Sequence, residues 1–335
     1  MPHKTPSWWY RKPGGIAGAL FLPAAIYGRV AGSRMARDVG HRSKLPVICV
    51  GNFTAGGGGK TPTAIAIATL LKAMGKRPAF LTRGYGGTAK GVVRVAGHEA
   101  HAVGDEPLLL AAVAPTFVSA DRIAGAEAIE ETDADVIVMD DGFQNPALAK
   151  DLSLIVVDAA SGLGNGRVMP AGPLRAPLDT QMPRTDALLV IGDGKKADRL
   201  VAAFETAGKP VLRAKVTPNC DARWLAVLPV IGFAGIARPN KFFATLKSNG
   251  ARLIESHSFR DHHRFTEKNA RALLKEADEK KAMLVTTEKD WARIPDEDED
   301  SALTELKNRS RPFPILVTFE DDEQAKDLLS ALASR

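Results

Sequence analysis

Cysteine is almost missing from the 335 residues: only Cys49 and Cys220 occur. Two thiols so far apart offer neither a disulfide framework nor the paired spacing of a zinc site, which points to a reducing, cytosolic setting. A membrane-spanning run is missing too. The apolar stretch at residues 16–28 is shorter than the roughly 20 residues a spanning helix needs, and Pro23 interrupts it. It is followed by no clear small-residue cleavage site, so a removable signal peptide fits poorly. Acidic residues are scarce in the first 45 positions, where eight Lys and Arg face the single Asp38, a net of +7. The whole chain carries +6, so the remaining 290 residues sum to about −1. Basicity confined to one end argues against a general nucleic-acid surface and for a local anionic partner.

What is present fits a soluble globular enzyme: 45% apolar and 25% charged residues, in a chain long enough for two α/β domains with a sizeable core. The basic N-terminus holds "WWYRK" at residues 8–12. If the following stretch is helical, Ile16, Leu20, Pro23, Tyr27 and Val30 share one face. Such a face, flanked by Trp, Tyr and Arg, suits a helix lying in an anionic leaflet; it equally suits a helix docked on the body of the protein. From residue 47 onward apolar runs alternate with helical patterns. Strands are expected at 47–50, 79–82, 92–95, 116–119, 136–140, 154–158 and 187–191, with helices at 61–74, 106–113, 122–131 and 195–207. Strands rich in Val and Ile without alternation argue for a mostly parallel sheet covered on both faces. After an irregular segment at 215–223, a second round places strands at 227–233, 252–257, 282–286 and 315–319, and helices at 240–248, 267–278 and 322–333. The expected division is an N-terminal interface segment (1–45), a core (46–217) and a smaller α/β domain (218–335), with a hinge near 218. The acidic run at 296–300 reads as a solvated loop.

A phosphate-gripping loop needs converging backbone N–H groups, small side chains, a helix N-terminus and a cation. "TAGGGGKTP", Thr54 to Pro62, supplies them. Beyond Thr54 and Ala55, Gly56, Gly57, Gly58 and Gly59 lack the Cβ atoms that would block an anion. Lys60 can reach the β- and γ-phosphates, Thr61 can offer its hydroxyl to Mg²⁺, and Pro62 sits where a helix needs no N–H. The first glycine of the usual phosphate-loop pattern is replaced by Thr54, so position between a buried strand and a helix carries the assignment. A metal partner is expected at the end of a buried strand, and "VIVMDD" ends in Asp140 and Asp141, whose adjacent carboxylates repel unless a cation relieves them. Asp105 and Glu106 in "VGDEP" read either as a helix start capped by Asp105 or as site residues. Asp261, His262 and His263 cluster in an expected loop without recognisable metal spacing.

In order along the chain, "GNFTAGGGGKTP", "LTRGYGG", "VGDEPLLLA", "DDGFQ", "GNGRVMPAGPLRAP", "FAGIARPNKFF", "DHHRF" and "VTTEKDWAR" resemble the tetraacyldisaccharide 4'-kinase family, over nearly the whole chain. The resemblance implies a P-loop core with a smaller second α/β domain, ATP and Mg²⁺ as cofactors, and transfer of the γ-phosphoryl group to the 4'-hydroxyl of a tetraacylated glucosamine disaccharide 1-phosphate. It further implies peripheral attachment to the cytoplasmic face of the inner membrane, with no nucleic acid and no obligate protein partner. By the same resemblance Asp105 matches the base and His262 its partner, beside the catalytic Lys60. Thr61, Asp140, Asp141 and Glu106 fall at the metal, and Arg175 and Asn165 toward the substrate. Because Asp105 and His262 lie in different expected domains, their meeting is expected to require closure, which would exclude water. Two positions depart from the family pattern: Asn145 stands where His is common after "DDGFQ", and Ala176 where Glu is common in "GPLREP". Two other readings of a phosphate loop are a ligase of the dethiobiotin synthetase type and a regulatory membrane ATPase. The first leaves the N-terminus and "DHHRF" without a role, and the second leaves a base across a hinge unexplained.

Overall fold

The computed structural model describes residues 6–37, 40–295, 298 and 300–331. The first sheet takes β1 (Val47–Gly51), β2 (Pro78–Thr82), β3 (Val92–Arg94), β4 (Thr116–Ser119), β5 (Val136–Asp140), β6 (Leu152–Asp158), β7 (Ala187–Ile191), β8 (Val211–Pro218) and the late strand β13 (Ile315–Phe319). Their order is β13-β8-β7-β6-β1-β5-β2-β4-β3. Pairing is parallel throughout the interior, and the edge strands β3 and β13 run antiparallel to their neighbours. The pleat sends Val47 and Cys49 of β1 into one core layer and Ile48 and Val50 into the other, so every position of this central strand is buried. The helix Lys60–Ala73 covers the second layer through Ala64, Ile67, Ala68 and Leu71, an i, i+3, i+4, i+7 stripe.

The second sheet, β10-β9-β11-β12, is wholly parallel and comprises β9 (Val230–Ala234), β10 (Leu253–Ser258), β11 (Met283–Thr287) and β12 (Ser310–Phe313). Ile231 and Phe233 face one of its cores, Val230 and Ala234 the other. The helix Glu267–Lys280 starts with a reciprocal capping box between Thr266 and Asn269. The architecture is therefore the expected mostly parallel α/β sheet with helices on both faces, accompanied by a second α/β sheet.

Three details depart from the sequence reading. Residues 211–218 form β8, where Leu212 and Ala214 are buried and Arg213 and Lys215 exposed; that charged alternation hides a strand whose two faces differ. The strand expected at 227–233 begins only at Val230, because a 3-10 turn, Ala222–Ala226, precedes it and leaves Val227 and Leu228 exposed. The strand at 315–319 does not stay with the second sheet. Val317 and Phe319, with Ala325 and Leu329 of the helix Asp322–Ser330, bury themselves in the layer under the helix Lys60–Ala73. Residues 218–335 thus contribute to both sheets. The chain crosses between them twice, and the crossings touch where the Asn219 N–H donates to the Pro314 carbonyl at 2.9 Å. The end of the helix expected to reach 333, and most of the acidic run at 296–300, lie outside the described residues.

The N-terminal stretch forms helices Gly15–Ala19 and Phe21–Met35. Pro23 falls in the first turn of the second helix, where an N–H has no intrahelical partner to lose. Three small residues and one methionine face the body of the protein: Ala17, Ala24, Gly28 and Met35 are buried. A Cβ on Gly28 would stand 3.5 Å from Pro177 and 3.6 Å from Val168, so glycine permits a close approach. The large apolar side chains point the other way. Leu22 is 67% exposed, Val30 65% and Phe21 62%, with Ile16 and Ile26 similar. No helix among the described residues is long and apolar enough to cross a membrane.

Candidate active site

β1 delivers the glycine-rich loop to the edge of the core. Phe53, fully buried, anchors its start; the Ala55 N–H donates to the Pro173 carbonyl at 2.8 Å, and Thr54 bridges Leu174. Two glycines are required by conformation: Gly56 has φ 103° and Gly59 φ 88°. A Cβ on Gly59 would also come within 2.9 Å of Ile191. The helix then opens at Lys60, and Pro62 lies in its first turn. Lys60 Nζ stands 3.7 Å from Asp141 Oδ2, and Thr61 Oγ1 donates to Asp140 Oδ2 at 2.9 Å. The loop, its lysine and the two acids at the end of β5 therefore form one cluster.

The charges in this cluster are sorted by their partners. Asp141 adopts φ 58° and accepts from both Nη atoms of Arg175, at 2.7 and 3.1 Å. Burial would raise its carboxyl, but Lys60 and Arg175 outweigh it and hold it low. Asp140 has no such arginine. Burial and the negative charge of Glu106 push its carboxyl up to about 7, and its Oδ1 is buried without a hydrogen-bond partner. A fully buried carboxylate oxygen with nothing to accept from, next to a threonine hydroxyl, fits the protein side of a Mg²⁺ site. Among the described residues no three His, Cys, Asp or Glu side chains form a metal cage.

Asp105 is brought in by Gly104, whose φ of 93° lets the chain turn beneath Tyr85; a Cβ there would lie 2.8 Å from the Tyr85 carbonyl oxygen. The helix Asp105–Ala111 begins at Asp105 itself and its N-cap is Gly104, so Asp105 does not cap it and its carboxylate is available elsewhere. His262 Nδ1 lies 3.4 Å from its Oδ1, and Arg293 Nη2 donates to its Oδ2. Asp105 is 4% exposed and Arg293 8%. Burial alone would raise the Asp105 carboxyl; the bond to His262 and the charges of Arg293 and Lys289 override it and hold it well below the ordinary carboxylate range. The same bond raises the His262 imidazole above its usual value. The Tyr85 ring sits 5.2 Å from that of His262.

The sequence uses "VTTEKDWAR" only for the family resemblance and gives no residue of the helix Glu288–Arg293 a role, yet this helix ties the two sheets together here. Lys289 Nζ donates to Glu106 at 2.6 Å, and Arg293 reaches Asp105. Arg293 also donates to Asp290 Oδ1 at 2.8 Å and the Gly235 carbonyl at 2.7 Å. The available signal was spacing: in "EKDWAR" Lys289 and Arg293 lie four apart, on one helical face, in line with two acids adjacent in sequence. Glu106, expected at the metal, is engaged by Lys289 but lies close enough to Asp140 and Lys60 to act on both. Asn165 is the outlier among the expected site residues. Its Nδ2 donates to the Ala171 carbonyl at 2.9 Å and its Oδ1 accepts from the Arg167 N–H at 3.0 Å, so both ends of the amide shape its own loop. Asn145 accepts the Ala147 N–H at 2.9 Å as a turn residue, and Ala176 is fully buried.

The family model for tetraacyldisaccharide-1-P 4'-kinase matches residues 17–333. A tetraacyldisaccharide 4'-kinase of Methylobacterium sp. (strain 4-46) is 52% identical over 298 residues, covering 87% of this chain and 89% of the relative. One of Nitrobacter winogradskyi is 44% identical over 330 residues, covering 97% and 96%. The crystal structure of an "apo" form of the Aquifex aeolicus protein LpxK in complex with ATP superposes with a TM-score of 0.73 at 26% identity, covering 95% of this chain and 99% of that one. The loop, the paired acids and the two-sheet architecture thus sit in a chain that belongs to the tetraacyldisaccharide-1-P 4'-kinase family.

Proposed function

We propose that Asp105 is the base, and His262 its partner, in ATP-dependent phosphorylation of the 4'-hydroxyl of a tetraacylated glucosamine disaccharide 1-phosphate. The reaction is that of the family; the assignment of residues rests on one observation, the contact of His262 with Asp105 beside the phosphate-loop cluster. Gly56 to Gly59 offer backbone N–H groups to the triphosphate, and Lys60 places its ammonium at the β- and γ-phosphates. Mg²⁺, when bound, neutralises phosphate charge, and Thr61 and Asp140 would hold it with Asp141 and Glu106 alongside. Asp105 accepts the hydroxyl proton as the sugar oxygen bonds to the γ-phosphorus and the bond to the ADP oxygen breaks. His262 orients that carboxylate and supports its charge from the other side. Arg293 keeps the second carboxylate oxygen in place, and Arg175 holds Asp141 through both of its Nη atoms.

The N-terminal helices support attachment to an anionic membrane face, which we place at the cytoplasmic side of the inner membrane. Their large apolar side chains are exposed while Arg29, Arg34 and Arg37 flank them, the arrangement of a helix lying in an interface. A substrate carrying acyl chains resides there. The test is incubation of purified protein with Mg²⁺ and γ-labelled ATP plus either a tetraacyl disaccharide 1-phosphate or small soluble acids. Labelled lipid is expected. Hydrolysis alone would favour a regulatory ATPase, and phosphorylated acid a ligase.

A further inference from the structure

A buried carboxylate outside the catalytic cluster joins the two sheets. Asp158 ends β6, the strand beside β1, and is 7% exposed. Two cations at the start of the helix Pro239–Ser248, which follows β9, reach it: Lys241 Nζ at 2.5 Å and Arg238 Nη1 at 3.5 Å. Its Oδ1 also accepts from the Ser161 N–H at 3.0 Å and hydroxyl at 2.9 Å, and Arg238 Nη1 donates to the same hydroxyl at 3.0 Å.

The other edge of the Arg238 guanidinium is held from a different direction. Its Nη2 donates to the Tyr10 hydroxyl at 3.1 Å, and its carbon lies 5.0 Å over the Tyr10 ring. Tyr10 is fixed in turn, since Trp9 Nε1 donates to the Pro170 carbonyl at 3.0 Å and the Trp9 carbonyl accepts from the Asn165 N–H at 2.7 Å. A planar guanidinium gripped along two edges and one face cannot rotate freely. One residue before it stands Ala237, whose methyl lies 3.5 Å from where a Cβ on Gly57 would be. Whatever holds Arg238 therefore sets how closely this turn approaches the phosphate loop.

We propose that Tyr10, Asp158, Arg238 and Lys241 form a positioning clamp that seats the Ala237 turn over Gly57 and so governs affinity for ATP. This deepens the reading that residues 54–62 hold the triphosphate. The four residues act through the turn, so the clamp contributes to nucleotide binding rather than to the chemical step. The experiment uses the full-length protein with Tyr10→Phe, Arg238→Lys and the double variant. ATP is varied at saturating lipid, and binding of a fluorescent ATP analogue is measured separately. The KM for ATP is expected to rise about threefold in Tyr10→Phe, less than a full charge-assisted hydrogen bond because the hydroxyl acts only through the turn. It should rise about tenfold in Arg238→Lys, which keeps the charge but loses the fork. Analogue affinity should fall in parallel, with kcat within about twofold. Because the hydroxyl acts through the guanidinium, the double variant should be no worse than Arg238→Lys. Unchanged ATP affinity in both single variants, or multiplied effects in the double, overturns the clamp. Tyr10→Phe removes one hydroxyl and keeps the fold, so its result stands even if Arg238→Lys is unstable. Wild-type protein that binds the analogue without labelling lipid would count against the transfer reading alone, and the binding comparison would still judge the clamp.

Discussion

Nδ1 of His262 lies 3.4 Å from Oδ1 of Asp105, although the two side chains come from elements that belong to different sheets. His262 achieves this in a left-handed backbone conformation, φ 55°, with its N–H donated to the Gly235 carbonyl at 3.0 Å. A non-glycine residue at such an angle costs about 1 kcal/mol or more and persists only where its surroundings over-determine it. Gly235 supplies part of that constraint: a Cβ there would stand 3.0 Å from Asp290 Oδ1 and from the His263 Cβ. Asp105 and His262 are in contact in this structure as it stands.

Replacing Asp105 with Ala should nearly abolish phosphoryl transfer, by about 10²–10⁴-fold, the usual range for a general base. Its partners are His262 and Arg293 rather than the phosphate loop, so ATP binding should stay close to wild type. His262→Ala should lose less, because the carboxylate remains. Initial rates of lipid labelling beside analogue binding decide the matter, and unchanged turnover in Asp105→Ala would reject the base.

Arg293→Ala should be among the most destabilising single changes available. Arg293 neutralises Asp105 and the fully buried Asp290, whose carboxyl burial pushes up even with the arginine in place. Removing one member of a buried ion pair leaves an uncompensated charge and costs about 3–5 kcal/mol. Denaturant titration of the two proteins should show that loss. A difference below about 1 kcal/mol would mean the arginine is not holding the two sheets together.

Lys60→Ala should impair ATP binding and transfer together, since its ammonium is the cation of the loop. Chelation of divalent ions should stop transfer and be reversed by added Mg²⁺, as expected if the orphaned Asp140 Oδ1 faces an ion. Full activity in excess chelator would remove the metal from the account.

Cys49 is fully buried, and burial pushes its thiol up to about 11. Cys220 is exposed. Thiolate is the reactive form, so a maleimide at pH 8 should modify one thiol in the native protein and two after unfolding. Intact mass spectrometry counts the adducts, and rapid double labelling of native protein would contradict the packing around β1.

The site was legible where chemistry follows from local sequence. The clustering of residues 56–61 can be read because they are contiguous on one strand-to-helix turn, and that of Asp140 and Asp141 because a buried strand announces its own end. Lys289, Asp290 and Arg293 stayed silent for the opposite reason. Their role depends on two sheets being brought together, and nothing within "EKDWAR" says which acids they will meet. β8 was missed because its outward face is charged, so it lacks the unbroken apolar run that marks the buried central strands. The return of β13 to the first sheet could not be read either, since an apolar run of five residues carries no statement of which sheet it will edge.

The N-terminal helices dock on the body by one face and expose large apolar side chains on the other, and substitution can separate the two faces. Ala17, Ala24 and Gly28 dock the pair on the body, while Leu22 and Val30 face outward. Leu22→Glu with Val30→Glu should leave the denaturation midpoint almost unmoved, within about 0.5 kcal/mol, because neither side chain is packed. If the outward face enters a bilayer, each loss forfeits roughly 1.5–3 kcal/mol of apolar transfer, so binding to anionic vesicles should fall at least about tenfold. Gly28→Leu should do the reverse. Its side chain would be driven against Pro177 and Val168, already 3.5 and 3.6 Å from a Cβ at that position, and overpacking there should cost about 1–3 kcal/mol of stability. Vesicle sedimentation and denaturant titration on the same two proteins read both effects. Undiminished vesicle binding by the double glutamate variant would leave the exposed apolar face without a role in membrane attachment.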